Sequence, residues 1–192
     1  MRYKNLLAWG VGVILTLGVI FSNLTHSKAA GFDSNDFFAL NDWARKDVKR
    51  NHLDKIYPQL RSSKRKIQKN ALGECKYIFD RIYNHPHAFI LCALAEKVLN
   101  KKGWLISRYQ KALIVYPQHA ITHAQYGWYL AMSLNKPKAG VKSLEKALVV
   151  DPKFKPAYSW LQKIYISMGQ KKHAENIRER AKKHGVSLQT AK

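Results

Sequence analysis

The sequence has few acidic residues and almost no cysteine. Asp and Glu number 12 in 192 residues, against 34 Lys and Arg, and the formal net charge is +22. It contains no glycine-rich phosphate loop, no nucleophile elbow and no motif of paired carboxylates. Because these motifs supply phosphate binding, nucleophilic attack and acid–base chemistry in many enzymes, we expect no enzyme activity, no catalytic residue and no cofactor. The excess of positive charge predicts an anionic partner or surface.

The amino terminus contains a long apolar run. Two basic residues within the first four precede an apolar stretch from Leu6 to Phe21, and small residues follow up to Ala30. This order is typical of a secretory signal peptide, but the run also approaches the roughly 20 residues that span a bilayer. Residues 1–30 are therefore predicted to be a signal peptide or a membrane anchor. In both cases the basic end stays inside the cell, and the rest of the chain is exported.

One heptapeptide occurs twice, with five of its seven residues unchanged. KALIVYP begins at Lys111 and KALVVDP begins at Lys146, 35 residues later. A fixed spacing of about 20–50 residues indicates a repeat architecture. The proline that ends each phrase, Pro117 or Pro152, is expected to end a helix, because proline cannot continue one. The spacing predicts an all-α fold in which the same helix pair is repeated.

A second set of spacings precedes these phrases. It reads F-x2-C-A-x2-E from Phe89, H-x2-Y-G-x2-L from His123 and Y-x2-L-Q-x2-Y from Tyr158. Together with the later alanines, these spacings resemble the tetratricopeptide repeat, W-x2-L-G-x2-Y followed by A-x3-F-x2-A and proline. Three copies cover about residues 86–185. The first departs from the pattern at Glu96, where a large aromatic residue is usual.

The resemblance implies a solenoid of helical hairpins, with about three repeats plus a degenerate N-terminal one, behind the N-terminal hydrophobic helix. Residues 71–185 are predicted to form this tetratricopeptide domain, and residues 186–192 a basic tail. Residues 31–70 are predicted to be a helical and basic linker region. Within that region the segment 44–70 carries ten Lys and Arg against two Asp, so much of it is expected to be exposed.

Tetratricopeptide proteins are typically binding scaffolds in which the first helices of the repeats line a concave groove. In the repeat register, the residues expected to face that groove and bind a partner are Ile90, Leu94, Lys97, Trp128 and Lys163. Trp128 has two interpretations. It is either an aromatic anchor for a guest side chain or a core residue wedged between first helices.

Histidines and cysteines offer two further hypotheses. His85, His87, His119 and His123 fall at two successive turns between repeats, where imidazoles are able to gather a metal, but spacing alone is weak evidence and we expect no metal site. Cys75 and Cys92 fall on neighbouring helices. Export would permit a disulfide. However, a hairpin folded about residue 85 offsets the two cysteines by about 4–5 Å along the axis, which favours free, buried thiols.

These observations predict an exported, membrane-tethered scaffold that binds a protein partner, as a peptide or a helix in the groove, within a bacterial envelope assembly. It would face the periplasm from the inner membrane, or lie free in the periplasm if the leader is cleaved. The alternative is a basic module that binds a membrane surface or an anionic cell-wall polymer through a patch formed by Lys64, Arg65 and Lys66. Nucleic acid is not an expected partner, and the sequence predicts no oligomeric state.

Overall fold

The computed structural model describes residues 34–188, and all regular secondary structure in that range is helical. The predicted leader at residues 1–30 and the last four residues of the predicted tail lie outside it. The α-helices are α1 (Asp42–Val48), α2 (Asp54–Arg61), α3 (Arg65–Arg81), α4 (Pro86–Leu99), α5 (Ile106–Val115), α6 (Ala120–Trp128), α7 (Pro137–Val150), α8 (Lys155–Ser167) and α9 (Lys171–Lys183). Between residues 34 and 188 no helix is both long and apolar enough to cross a bilayer.

Three short segments complete the helical structure. A 3₁₀ helix, Phe37–Ala39, precedes α1. A π-helical segment, Lys49–Leu53, joins α1 to α2 without a break, and a second one, Tyr129–Ser133, extends α6. The helices then form successive hairpins, with α2 against α3, α6 against α7, and α8 against α9, while α4 packs on α3 and contacts α5 through the rings of Phe89 and Tyr109. The predicted all-α fold of helical hairpins is confirmed.

The hairpin of α6 and α7 is closed by two glycines. A Cβ atom on Gly127 would lie 2.7 Å from the carbonyl oxygen of Gly140, and a Cβ atom on Gly140 would lie 2.6 Å from the carbonyl oxygen of Gly127. Real side chains do not approach a backbone oxygen so closely, so only glycine permits this helix contact. Gly140 belongs to the repeated pattern as the small residue seven positions before Ala147.

The core consists of two apolar clusters that meet around α6. The first extends from Leu40 in the N-terminal segment to Tyr109 in α5 and includes Tyr129. The second extends from Ala120 to Val186. In the first cluster the rings of Phe89 and Tyr109 stack in parallel, with centroids 3.8 Å apart. Each cluster spans several hairpins, as a solenoid requires, because a single hairpin cannot bury its own apolar face.

The region expected to be a basic linker contributes to the first cluster. Residue 70 lies inside α3, so the structure has no boundary between residues 70 and 71. Ile56 and Leu60 on α2 are buried in the same core as Ala71. The lysines and arginines of this region point outward, because each helix turns its apolar stripe to the core and leaves its charged face in water.

Glu96 explains why the first repeat departs from the tetratricopeptide pattern. Its carboxylate is buried and accepts hydrogen bonds from the backbone N–H groups of Gly103 (2.6 Å) and Leu105 (3.1 Å). The hydroxyl of Tyr129 also donates to it, at 2.7 Å and 2.8 Å to its two oxygens. A buried carboxylate is tolerated when its lone pairs are satisfied in this way. Glu96 therefore joins α4 to the turn before α5 and to the next repeat.

The expectation of free thiols at Cys75 and Cys92 is wrong, because the two residues form a disulfide with their Cα atoms 5.9 Å apart. The error came from the assumed position of the turn. Helix α3 ends at Arg81 and α4 begins at Pro86, so each cysteine lies six residues from its own end of the turn. The hairpin folds between residues 83 and 84, which removes the axial offset expected for a fold about residue 85.

We predict that the disulfide stabilises the domain measurably. Closing a loop of this size removes unfolded-state entropy worth about 3 kcal/mol. Replacement of both Cys75 and Cys92 by Ala should lower the free energy of unfolding in urea by about that amount. Reduction of the unmutated chain should give a similar loss, because it removes the same covalent bond. Equal stability of the oxidised and reduced chains would contradict the prediction.

Candidate partner-binding groove

The first helices of the repeats, α4, α6 and α8, enclose a cavity of about 330 Å³. Ile90 from α4, Trp128 from α6 and Trp160 from α8 line it, together with the buried rings of Phe89 and Tyr109. Each of these three residues, Ile90, Trp128 and Trp160, comes from a different one of three successive hairpins, because the first helices of stacked repeats face the same side. The cavity is thus an apolar slot that crosses the repeats.

Two of the five predicted groove residues meet in this cavity. Ile90 is 59% exposed at its rim, and Trp128 lies across from it on the next first helix. Leu94 follows Ile90 by one turn of α4 and is exposed, but it does not line the cavity. Lys97 and Lys163 are exposed on α4 and α8, also outside the cavity lining.

Sequence reasoning missed Trp160. Its ring packs against that of Trp128, with centroids 5.5 Å apart and planes inclined by 33°. Trp160 follows Ser159, the residue equivalent to Ile90, by one position, so it was not assigned to the inner face. The signal that could have identified Trp160 is its position, directly next to a residue predicted to face the groove. Trp128 is half-buried and also packs against the second apolar cluster, so it takes part in both the groove and the core.

Within residues 34–188, one buried polar atom of a cavity-lining side chain has no hydrogen-bond partner. Gln125 is buried on α6, and its Nε2 donates a hydrogen bond to the carbonyl oxygen of Pro86 (3.0 Å). Its Oε1 has no hydrogen-bond donor among residues 34–188, although the side chain lines the cavity. A buried acceptor without a donor is costly, so this oxygen is a weak point of the packing beside the cavity.

The histidines of the inter-repeat turns have roles other than metal binding. His85 caps α4 by accepting a hydrogen bond from the backbone N–H of Ala88 (3.4 Å). His119 lies 3.0 Å from a carboxylate oxygen of Asp36, and His123 donates to the carbonyl oxygen of Pro117 (2.9 Å). In the part of the chain that the structure describes, no three His, Cys, Asp or Glu side chains are grouped to hold a metal ion.

Burial makes His85 a poor base. Its imidazole is almost completely enclosed, and this desolvation, together with electrostatic repulsion from His87, lowers its pKa to about 3. For Asp36, in contrast, hydrogen bonds outweigh the effect of burial on the pKa. Burial alone would raise the pKa of its carboxyl, but hydrogen bonds from Asn84, His119 and the backbone of Phe38 lower it below its usual value.

The three residues of the predicted basic patch are not equivalent. Lys64 and Lys66 are exposed near the start of α3. The guanidinium of Arg65 donates hydrogen bonds to the carbonyl oxygens of Val98 (3.0 Å) and Leu99 (3.2 Å), at the end of α4. A cation at a helix C-terminus satisfies carbonyl groups that lack intrahelical partners. Arg65 therefore holds α3 against α4, and part of its charge is already engaged.

No protein-family model matches the sequence, and no curated protein matches it. Similar solved structures include two crystal structures of MamA. One is 17% identical over 74% of this chain and 85% of that chain, with a TM-score of 0.48; the other is 18% identical over 78% and 86%, with a TM-score of 0.47. A third is TTC0263, a thermophilic TPR protein in Thermus thermophilus, 14% identical over 68% and 72%, with a TM-score of 0.43. At such identities these likenesses assign no partner and no activity to this chain.

Because Trp128 both lines the groove and packs against the core, we predict that its replacement costs more stability than replacement of an exposed groove residue and less than that of a fully buried one. Replacing a fully buried Trp by Ala costs about 3–5 kcal/mol, so Trp128→Ala at a half-buried site should lower the free energy of unfolding by about 2 kcal/mol. Ile90→Ala, at an exposed position, should cost less than about 1 kcal/mol. Urea unfolding of the two variants measures both values. Equal losses would show that Trp128 is not shared with the core.

We also predict that His85 makes the fold sensitive to mild acid. Its pKa in the folded chain, about 3, lies below the unfolded value of 6.5, so below pH 6.5 only the unfolded chain binds this proton. Its stabilising effect is complete above pH 6.5 and declines by about 1.4 kcal/mol per pH unit below it, down to the folded pKa. Between pH 6.5 and 4.5, the unmutated chain should lose about 2 kcal/mol more than His85→Asn, which keeps a helix-capping side chain. Identical pH profiles in urea unfolding would refute this.

Proposed function

We propose that the chain is an exported, membrane-tethered scaffold for protein–protein interaction in a bacterial envelope assembly. The observation that supports this most directly is the apolar cavity formed by Trp128 and Trp160 across successive repeats. Aromatic side chains in a preformed pocket dominate the binding energy of many interfaces. The helical-hairpin fold itself is typical of scaffolds that hold a peptide or a helix.

The side chains that line the groove indicate what kind of partner segment would bind there. A bulky apolar side chain, aromatic or branched, fits between Ile90, Trp128 and Trp160. Oε1 of Gln125, the acceptor that lacks a donor, is itself buried, so an N–H beside that anchor would reach it only after the side chain turns toward the cavity. The partner is expected to be acidic outside the anchor, because the chain carries a net charge of +22. Exposed lysines at positions 97 and 163 provide positive charge on the same helices, beyond the cavity lining.

Two independent features support the proposed compartment. The Cys75–Cys92 disulfide hints at an oxidising, extracytoplasmic compartment, since such bonds persist there and are rare in the cytosol. The sequence of residues 1–30 has the charge and apolar pattern of an export leader. We therefore place the folded domain outside the cytoplasm. It would be tethered to the inner membrane and face the periplasm, or be periplasmic if the leader is cleaved.

The alternative function, binding of an anionic polymer or membrane surface through Lys64, Arg65 and Lys66, has less support. Arg65 is committed to the end of α4, which leaves two exposed lysines as the freely available part of that patch. Surface lysines of this kind bind anions weakly, and salt screens them. The groove, in contrast, combines apolar walls with a buried acceptor that lacks a donor.

The groove is tested by photo-crosslinking in cells that make the full-length chain. A photoreactive phenylalanine analogue replaces Ile90 in one version and Trp43 in the matched control. Trp43 is as exposed as Ile90, at 59%, but lies on α1, away from the groove. We expect one dominant adduct at position 90 and none at position 43. Addition of Trp160→Ala should abolish the adduct by removing one wall of the cavity.

The salt dependence separates the two candidate functions. A groove contact dominated by apolar burial should persist at about 0.5 M salt, whereas binding to an anionic surface through lysines should be lost. Equal crosslinking at positions 43 and 90, or an adduct unaffected by Trp160→Ala, would contradict the proposed site. A folded domain whose Cys75 and Cys92 react as free thiols in cells would contradict the proposed compartment.

A further inference from the structure

The first helix of the second repeat is one residue longer than the first helices on either side of it. Each first helix follows an N-cap residue and is closed by a residue with a positive φ. In chain order these pairs are His85 and Asn100, His119 and Asn135, and Phe154 and Gly169. The members of the first and third pairs are 15 positions apart, whereas those of the second pair are 16 positions apart. The second repeat therefore contains an extra residue between His119 and Asn135.

The π-helical segment Tyr129–Ser133 takes up this extra residue. It lies inside that interval, and the backbone N–H of Leu134 donates to the carbonyl oxygen of Tyr129, five residues earlier, at 3.2 Å. A π-helix closes its hydrogen bonds over five residues instead of four, and such turns occur often at functional sites. Both ends of the helix thus keep the repeat register, and the π-helical segment departs from it.

Ser133, the last residue of this segment, differs from its equivalent in the third repeat. It lies two positions before Asn135, as Ser167 lies two positions before Gly169. The hydroxyl of Ser167 donates to the carbonyl oxygen of Ile164 in its own helix (2.8 Å). Ser133 is exposed and lines the cavity, and its hydroxyl has no hydrogen-bond partner among residues 34–188. The hydroxyl that a regular helix binds to itself is therefore available to a ligand here.

The other polar side chains of the cavity do not offer an exposed acceptor. Three of them, Tyr109, Gln125 and Tyr129, are buried. The two tryptophan indoles are half-buried, and an indole carries an N–H donor and no acceptor. Among the described residues that line the cavity, Ser133 is therefore the exposed side chain that is able to accept a hydrogen bond from a ligand.

We infer that the hydroxyl of Ser133 selects the side chain that the groove accepts, an inference that rests on the groove proposed above. Ile90, Trp128 and Trp160 supply apolar walls of the cavity, and Ser133 belongs to the same lining. A tyrosine hydroxyl or a tryptophan N–H usually finds a hydrogen-bond partner when it is buried, and Ser133 supplies one. Phenylalanine and leucine fill the same apolar space but make no such bond. The anchor of the partner segment is therefore tyrosine or tryptophan.

The probe for this site is a set of four short acidic peptides that differ only at the central residue, which is Tyr, Trp, Phe or Leu between Gly and Glu flanks. The full-length chain, kept in a mild detergent and labelled at its Ile methyl groups, is titrated with each peptide and followed by NMR. The methyl signal of Ile90, at the rim of the cavity, reports on the groove. Because the flanks are identical, attraction to the basic surface cancels in the comparison.

We expect the Tyr peptide to bind about 5-fold more tightly than the Phe peptide, a factor within the range that one uncharged hydrogen bond provides. Ser133→Ala should remove this preference by weakening the Tyr peptide about 5-fold, and should leave the Phe peptide unchanged. Ser133→Thr keeps a hydroxyl and should retain the preference. The matched control is Ser167→Ala, which removes the equivalent hydroxyl outside the cavity lining. Because Ser133 is exposed, its variants should unfold at the same midpoint as the unmutated chain.

The possible outcomes separate the role of Ser133 from the groove itself. Equal binding of the Tyr and Phe peptides, or a Tyr preference that survives Ser133→Ala, would overturn the role of Ser133 and leave the groove in place. Loss of the preference in Ser167→Ala would also overturn it, because that hydroxyl is bonded within its own helix. If none of the four peptides changed the signal of Ile90, the groove and this inference would both be overturned.

Discussion

The contact between Gly127 and Gly140 is the constraint on which most of the structure depends. Each glycine lies against the carbonyl oxygen of the other, so α6 and α7 approach more closely than any side chain would allow. Helix α6 and its π-helical extension also contribute to both apolar clusters, through Tyr129 on one side and Ala124 on the other. Any displacement at these glycines would therefore disturb both halves of the core.

The same helix sets the geometry of the groove. Trp128 follows Gly127 directly, and its ring reaches Trp160 on the next first helix. One residue further, Tyr129 donates to Glu96 on the preceding first helix. Three consecutive residues, at the end of α6 and the start of its extension, thus hold their own hairpin, the following repeat and the preceding repeat. The cavity lies where these three contacts converge, which makes its shape a property of the stacked array.

The sequence by itself determined the class of fold and its period. Small residues such as Ala112 and Ala147, and helix-ending prolines such as Pro117 and Pro152, act within a single hairpin, so their chemistry can be recognised from spacing alone. The same register put Ile90 and Trp128 on one face, and both line the cavity, while their role in binding stays a prediction. The fold prediction succeeded because it depends on contacts inside one repeat and on the regular step between repeats.

Only the tertiary structure decided the disulfide, the part played by Trp160, and the burial of Tyr83 and Asn84. Pairing of Cys75 with Cys92 depends on where the hairpin turns, and a shift of about one residue there changes the axial offset by several ångströms. The contact of Trp160 with Trp128 depends on how far each helix is rotated. The burial of Tyr83 and Asn84 depends on the path of a distant segment, Ser34 to Phe38, which lies on them. Periodicity specifies the repeat, but it specifies neither turn positions, helix rotations nor contacts between distant segments.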